Sequence, residues 1–268
     1  MQQDMEKTWL GHPRGLFVLF LVEMWERFSY YGMRALLVFY MTKQLLFSQE
    51  DASHVYGLYT GLVYMTPLFG GLLAGRFLGQ RRAVYSGGTL MAIGHFLMAF
   101  ESLFFPALGF LIAGNGLFKP NISTQVGSLY PAGDKRRDSA FSIFYVGVNL
   151  GAFLAPLTCG TLGVVVGWHY GFGLAGVGMM VGLLIYLYGQ RYLKPDRLTA
   201  RKEASAEEEE PLTLREKQKI AALVLLCLLT IPFWAAFEQQ GNTLALWFDS
   251  DTDRMIGAWE VPQTWFQS

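Results

Sequence analysis

Seven stretches of mostly apolar residues dominate this sequence, at 15–42, 54–75, 84–105, 107–129, 139–165, 168–190 and 217–247. A helix needs about 20 such residues to cross a bilayer, and in lipid every backbone N–H and C=O must find its partner within the protein. The chain is therefore predicted to be all-α and integral to a membrane, with seven transmembrane helices. Its composition agrees: 52% of residues are hydrophobic and 16% charged, against about 25% charged in a typical soluble domain. Thirty glycines suit close helix packing in lipid.

The links between these spans are short, except for Arg191 to Arg215, which holds Glu207-Glu208-Glu209-Glu210 and Pro211. That stretch reads as a solvated linker. The expected division is a six-helix bundle over 1–190, a linker over 191–215, and over 216–268 the first helix of a second bundle with an outer loop. On this reading most of that second bundle lies beyond Ser268. Basic residues fix the orientation. Lys7 and Arg14, then Arg76, Arg81 and Arg82, then Lys135, Arg136 and Arg137, then the linker all fall on one side, and only Lys43 and Arg254 fall on the other. The N-terminus and the linker are therefore predicted to be cytoplasmic.

Six charges lie well inside spans, away from their ends: Glu23, Glu26, Arg27, Arg34, Lys119 and Glu238. Each costs about 2.5–3.5 kcal/mol near the bilayer centre, so they must pair or face water, and their signs balance. In span one, positions 23, 26, 27, 30, 31 and 34 follow helical spacing, which sets both carboxylates, both arginines, Tyr30 and Tyr31 on one face. A local Glu23–Arg27 pair would serve folding alone but would leave Arg34 without a partner. Lys119 precedes Pro120 in span four, and Glu238 follows Pro232 in span seven; proline removes a backbone donor and opens carbonyls that suit a cavity wall. Asn149 on span five is a weaker candidate. Tyr56, Tyr59, Tyr64 and Tyr145 match packing or interface tyrosines as well as ligand contacts.

Other chemistries find no support. The net charge is zero, so no basic field suggests nucleic acid. His12, His54, His95 and His169 lack metal-ligand spacing, and no metal or other cofactor is expected. No phosphate loop or hydrolase nucleophile motif occurs, so an enzyme is not expected. Cys159 and Cys227 read as small apolar residues.

Glu23-Met24-Trp25-Glu26-Arg27-Phe28-Ser29-Tyr30-Tyr31-Gly32 resembles the ExxERFxYYG signature of the proton-dependent oligopeptide transporter (POT) family, within the major facilitator superfamily. Asn115-Gly-Leu-Phe-Lys119-Pro120-Asn-Ile-Ser, Phe144-Tyr145-Val-Gly-Val-Asn149-Leu-Gly and Phe233-Trp234-Ala-Ala-Phe-Glu238-Gln-Gln-Gly resemble its motifs in spans four, five and seven. Gly71-Leu-Leu-Ala-Gly75-Arg76 resembles the superfamily's cytoplasmic loop motif but carries Gly75 where an aspartate is usual, which puts the usual latch between the halves in doubt.

The resemblance implies twelve core helices in two six-helix halves, of which this chain would hold the first half and one helix of the second. It implies a proton-coupled symporter that imports di- and tripeptides by alternating access, protons being the coupling ion. It further implies a monomer in the plasma membrane, the inner membrane of a bacterium. Arg34 and Lys119 are expected to hold the peptide carboxylate, with Tyr30, Tyr31, Tyr64, Asn149 and Trp234 as further peptide contacts. Glu238 is expected to pair with Lys119 and to lose that pair on protonation, while Glu23 and Glu26 trade partners with Arg27. A membrane peptide sensor without transport, or a relative moving nitrate or another small anion, would use the same groups.

Overall fold

The computed structural model describes residues 8–195 and 213–268. The Glu207–Glu210 run, most of the expected linker and Lys7 lie outside the described residues. The chain opens with a two-stranded hairpin, β1 (Thr8–Trp9) and β2 (His12–Pro13). Spans one to five are α1 (Arg14–Phe39), α2 (Gln49–Leu73), α3 (Gln80–Leu97), α4 (Phe104–Ser128) and α5 (Arg136–Ala155). A short α6 (Thr161–Val165) completes span five, α7 (Trp168–Gly189) is span six, and α8 (Leu214–Phe237) with α9 (Thr243–Asp251) forms span seven. Five of these units are long and apolar enough to cross a membrane. Spans one and three fall short of that measure, since α1 carries the charge cluster and α3 has 18 residues beginning Gln80-Arg81-Arg82.

The boundaries follow the expected spans except at the end of span three. The helix expected over 84–105 stops at Leu97, and the chain turns before α4 starts at Phe104. Only Glu101-Ser102 interrupts the apolar residues there, so average hydropathy carries the span through the turn. Pro106, in the first turn of α4, marks it, because proline is tolerated where its missing N–H has no helical partner.

In the bundle α1 lies between α5 and α7, and α4 packs against both α2 and α3. Glycine permits the closest contacts. A Cβ on Gly87 would meet the Gly114 carbonyl oxygen at 2.6 Å, and one on Gly114 would meet that of Gly87 at 2.6 Å, so α3 and α4 touch backbone to backbone. Arg81 donates from Nη2 to the carbonyls of Leu193 (2.5 Å), Lys194 (2.9 Å) and Gln190 (3.2 Å), satisfying groups at the end of span six.

Span seven is attached differently. No residue of Leu214–Phe237 is buried, whereas the segment from Glu238 onward docks on the bundle. Lys43 pairs with Asp249 at 2.6 Å, and Arg254 bridges Asp249 (3.4 Å) and Glu260 (2.7 Å). Trp265 Nε1 donates to Thr161 Oγ1 at 2.7 Å, and Gln267 Nε2 donates to the Ala35 carbonyl at 3.2 Å. An apolar helix without a buried face needs lipid or further protein around it.

Candidate functional site

The charged face of α1 is buried. Glu23, Glu26, Arg27 and Arg34 are all nearly inaccessible, and Tyr31 is half-buried. Arg27 donates from Nε and Nη2 to the two oxygens of Glu26, each at 2.5 Å, and its Nε lies 3.5 Å from Glu23. Its guanidinium also sits over the Tyr30 ring at 4.8 Å and the Tyr31 ring at 5.8 Å, a cation–π arrangement. Lys119 reaches across from α4 to Glu23 Oε1. Two carboxylates and two cations thus close one neutral cluster. The second Glu23 oxygen and the Tyr30 hydroxyl find no hydrogen-bond partner among the described residues.

Arg34 belongs to a second cluster. Its Nε donates to the Tyr56 hydroxyl at 2.7 Å, and its Nη2 lies 2.7 Å from Glu238 Oε2. That contact is a close ion pair rather than an aligned hydrogen bond. The Tyr64 hydroxyl donates to the other Glu238 oxygen at 3.2 Å. The expected Glu238–Lys119 pair therefore does not form: Glu238 meets Arg34, and Lys119 meets Glu23. The reason is depth. Residues 23 and 34 lie eleven positions apart on one helix, about 16 Å of rise, so the two clusters occupy different levels of the membrane.

A cavity of about 670 Å³ adjoins the Arg34 cluster, between α2 and span seven. Tyr56, Thr60 and Tyr64 line it from α2, and Trp234, Glu238 and Asn242 from span seven. Ser53 Oγ donates to Asn242 Oδ1 at 3.2 Å at its margin. Lys119 instead lines a separate cavity of about 600 Å³ with Phe144 and Tyr145, between α4 and α5. Asn149 is exposed on α5 and lines neither. In α4, Pro120 leaves the Gly116 carbonyl without its usual donor, and Gly70 of α2 packs directly on that oxygen. No three His, Cys, Asp or Glu residues converge to hold a metal ion among the described residues.

Tyr56 was not distinguishable from a packing tyrosine in the sequence. The available signal was its spacing: Tyr56, Thr60 and Tyr64 recur every four residues, with Ser53, Gly57 and Gly61 beside them.

The sequence profile described as POT family matches residues 81–206. The chain is 35% identical to peptide transporter YePEPT of Yersinia enterocolitica over 98% of its own length and 65% of the relative's. It is 40% identical to a di-/tripeptide transporter of Lactococcus lactis subsp. cremoris, over 87% of this chain and 48% of that one. A crystal structure of peptide transporter POT in complex with sulfate superposes with a TM-score of 0.80 at 34% identity, covering 99% of this chain and 68% of that chain. The chain belongs to the POT family. As a POT family member it is an integral membrane protein of a transporter family, and it spans 65% of the length of the Yersinia relative.

Within this POT chain, Gly241 sets how closely span seven approaches. A Cβ there would collide with the Tyr56 hydroxyl and come within 3.0 Å of Arg34 Nη2. Gly241→Ala is expected to push Tyr56 off Arg34 and to cost about 1–3 kcal/mol through overpacking, read as a lower unfolding midpoint in detergent. Adding Tyr56→Phe, which removes the obstructing hydroxyl, should recover part of that loss. A double variant as unstable as Gly241→Ala alone would place the clash elsewhere.

Proposed function

We propose that the whole protein imports di- and tripeptides with protons by alternating access, with the N-terminus and the 191–215 linker in the cytoplasm. The observation that carries this reading is the carboxylate of Glu238 resting 2.7 Å from Arg34, beside a cavity of about 670 Å³. Glu238 occupies the place that a peptide's own carboxylate would take on that arginine. A guanidinium can grip a carboxylate with two parallel N–H donors. The Arg34–Glu238 pair is neutral, so an arriving peptide carboxylate competes with Glu238 until a proton neutralises it. Peptide and proton then favour each other's binding, and by linkage the coupling is reciprocal.

The relatives support the substrate class. Two Lactococcus proteins similar to this chain are di-/tripeptide transporters, and similar POT structures hold alafosfalin and 5-aminolevulinic acid. Trp234 and Tyr64 at the cavity would contact peptide side chains through their rings. Tyr30 and Tyr31 pack on Arg27 of the first cluster, and the Tyr31 ring also faces Arg34 of the second. Lys119, held by Glu23, would become available to a carboxylate when Glu23 turns wholly to Arg27. Asn149 has no evident part in this cavity.

Arg34→Ala is expected to weaken binding of a dipeptide roughly 10- to 100-fold, the worth of a hydrogen bond to a charged group at about 1.5–3 kcal/mol. The dipeptide's C-terminal amide should lose far less. Equal losses for both ligands would sink the carboxylate assignment. Uptake of labelled dialanine into proteoliposomes under an inward proton gradient tests transport itself. Binding without uptake would indicate a sensor, and competition by nitrate but not by peptides would indicate a carrier of small anions.

A further inference from the structure

The hairpin before span one is built against water. Its two-residue tip, Leu10–Gly11, has positive φ at both positions, +51° and +79°. Such a turn favours Asn-Gly or Gly-Gly, and a bulky side chain in the left-handed region is strained. Leu10 is nonetheless 75% exposed, and Trp9 beside it is 57% exposed. A strained turn that holds a leucine side chain exposed among the described residues points to a partner outside the chain.

The surroundings identify that partner. The Trp9 ring packs on Phe17 with centroids 4.4 Å apart. Phe17 and exposed Leu21 lie on the stripe of α1 turned away from Glu23, Arg27 and Arg34. On the flanks of that stripe, Phe20 packs against Gly147 of α5 and Trp25 against Gly182 of α7. The stripe therefore looks out through the gap between two spans, toward lipid, and Trp9 continues it past the helix end. The hairpin is clamped in this pose. His12 Nδ1 and the Tyr130 hydroxyl share a hydrogen bond at 2.8 Å, and Arg136 Nη1 donates to the Gly11 carbonyl at 2.9 Å. Exposed Arg14, Lys135 and Arg137 add positive charge at the same end of the bundle.

We propose that Trp9 and Leu10 insert into the headgroup region of the leaflet on the N-terminal side, with Arg14, Lys135 and Arg137 drawing anionic phospholipid to the hairpin. Tryptophan is favoured at this depth because its ring is amphipathic, and lysine and arginine near the surface attract anionic headgroups. On the orientation proposed above this is the cytoplasmic leaflet. Insertion does not depend on transport, so a failure of one leaves the other standing.

The test uses the whole protein with Leu10→Cys carrying an environment-sensitive fluorophore, Cys227→Ser, and serine at every exposed cysteine outside the present sequence; Cys159 is buried. It is reconstituted into phosphatidylcholine vesicles with or without phosphatidylglycerol, each containing a shallow spin-labelled lipid. The expected result is blue-shifted emission with most of its intensity lost to the quencher, and a larger loss with phosphatidylglycerol. Water-like, unquenched emission in both vesicles would overturn the insertion. Equal quenching in the two would overturn the role of the basic residues. An independent reading without a label is Trp9→Phe, which should remove part of the native tryptophan emission that the same lipid quenches. No change in that quenched fraction would overturn the proposal.

Discussion

Glu238→Gln is expected to abolish proton-driven accumulation of dipeptide while leaving peptide counterflow in place. Glutamine keeps the shape of glutamate and the oxygen that accepts from Tyr64, at 3.2 Å in the present structure. It removes the charge 2.7 Å from Arg34, so the variant mimics a permanently protonated site. Peptide can still reach Arg34, and exchange of one peptide for another needs no proton release. Net accumulation does, because the empty carrier must return with its proton discharged. A membrane potential of about 100 mV is worth about 2.3 kcal/mol per charge, which at 1.4 kcal/mol per decade is roughly 50-fold accumulation per proton. The variant should fall from such a ratio to near unity. Accumulation at the original ratio would remove Glu238 from the coupling role.

The sequence exposed some parts of this site and hid others, for physical reasons. The buried face of span one was legible because helical spacing is intrinsic to a single segment: positions 23, 26, 27, 30 and 34 had to share a side whatever surrounded them. That the six intramembrane charges balance was also legible, since unpaired charge in lipid is costly. Which cation meets which carboxylate was not. Spacing fixes the face of a helix but not its depth against a neighbour, and the assignment of Lys119 to Glu238 failed by eleven residues of α1. The same limit concealed Tyr56, whose role exists only because Arg34 lies opposite it at 2.7 Å. Gly241 was visible as part of a motif, but its reason, the room that Tyr56 and Arg34 need, is a property of two packed helices. The end of span three was hidden differently: apolar residues on both sides of Glu101-Ser102 average into one hydrophobic stretch, although that polar pair sits in the turn.

Arg27→Leu is expected to be among the most destabilising single changes in this bundle, at about 3–5 kcal/mol, the cost of removing one partner of a buried ion pair. Arg27 is the only cation touching Glu26 among the described residues, through two bonds of 2.5 Å. Glu23 keeps Lys119 after the change, but Glu26 keeps no cation in contact, and both carboxylates are fully buried. The rings of Tyr30 and Tyr31 lose the guanidinium above them as well. The loss should appear as a lower unfolding midpoint in detergent and as poor recovery from the membrane. Glu26→Met with Arg27→Leu separates charge from packing. Removing both partners leaves no orphaned ion, and an apolar pair of similar volume is often no less stable than the ion pair it replaces. The double variant should therefore regain most of the stability while remaining inactive in peptide uptake. A double variant as unstable as Arg27→Leu alone would mean that side-chain packing, not charge, holds this part of span one. A double variant that still accumulates peptide would mean that Glu26 and Arg27 serve the fold and not the transport cycle.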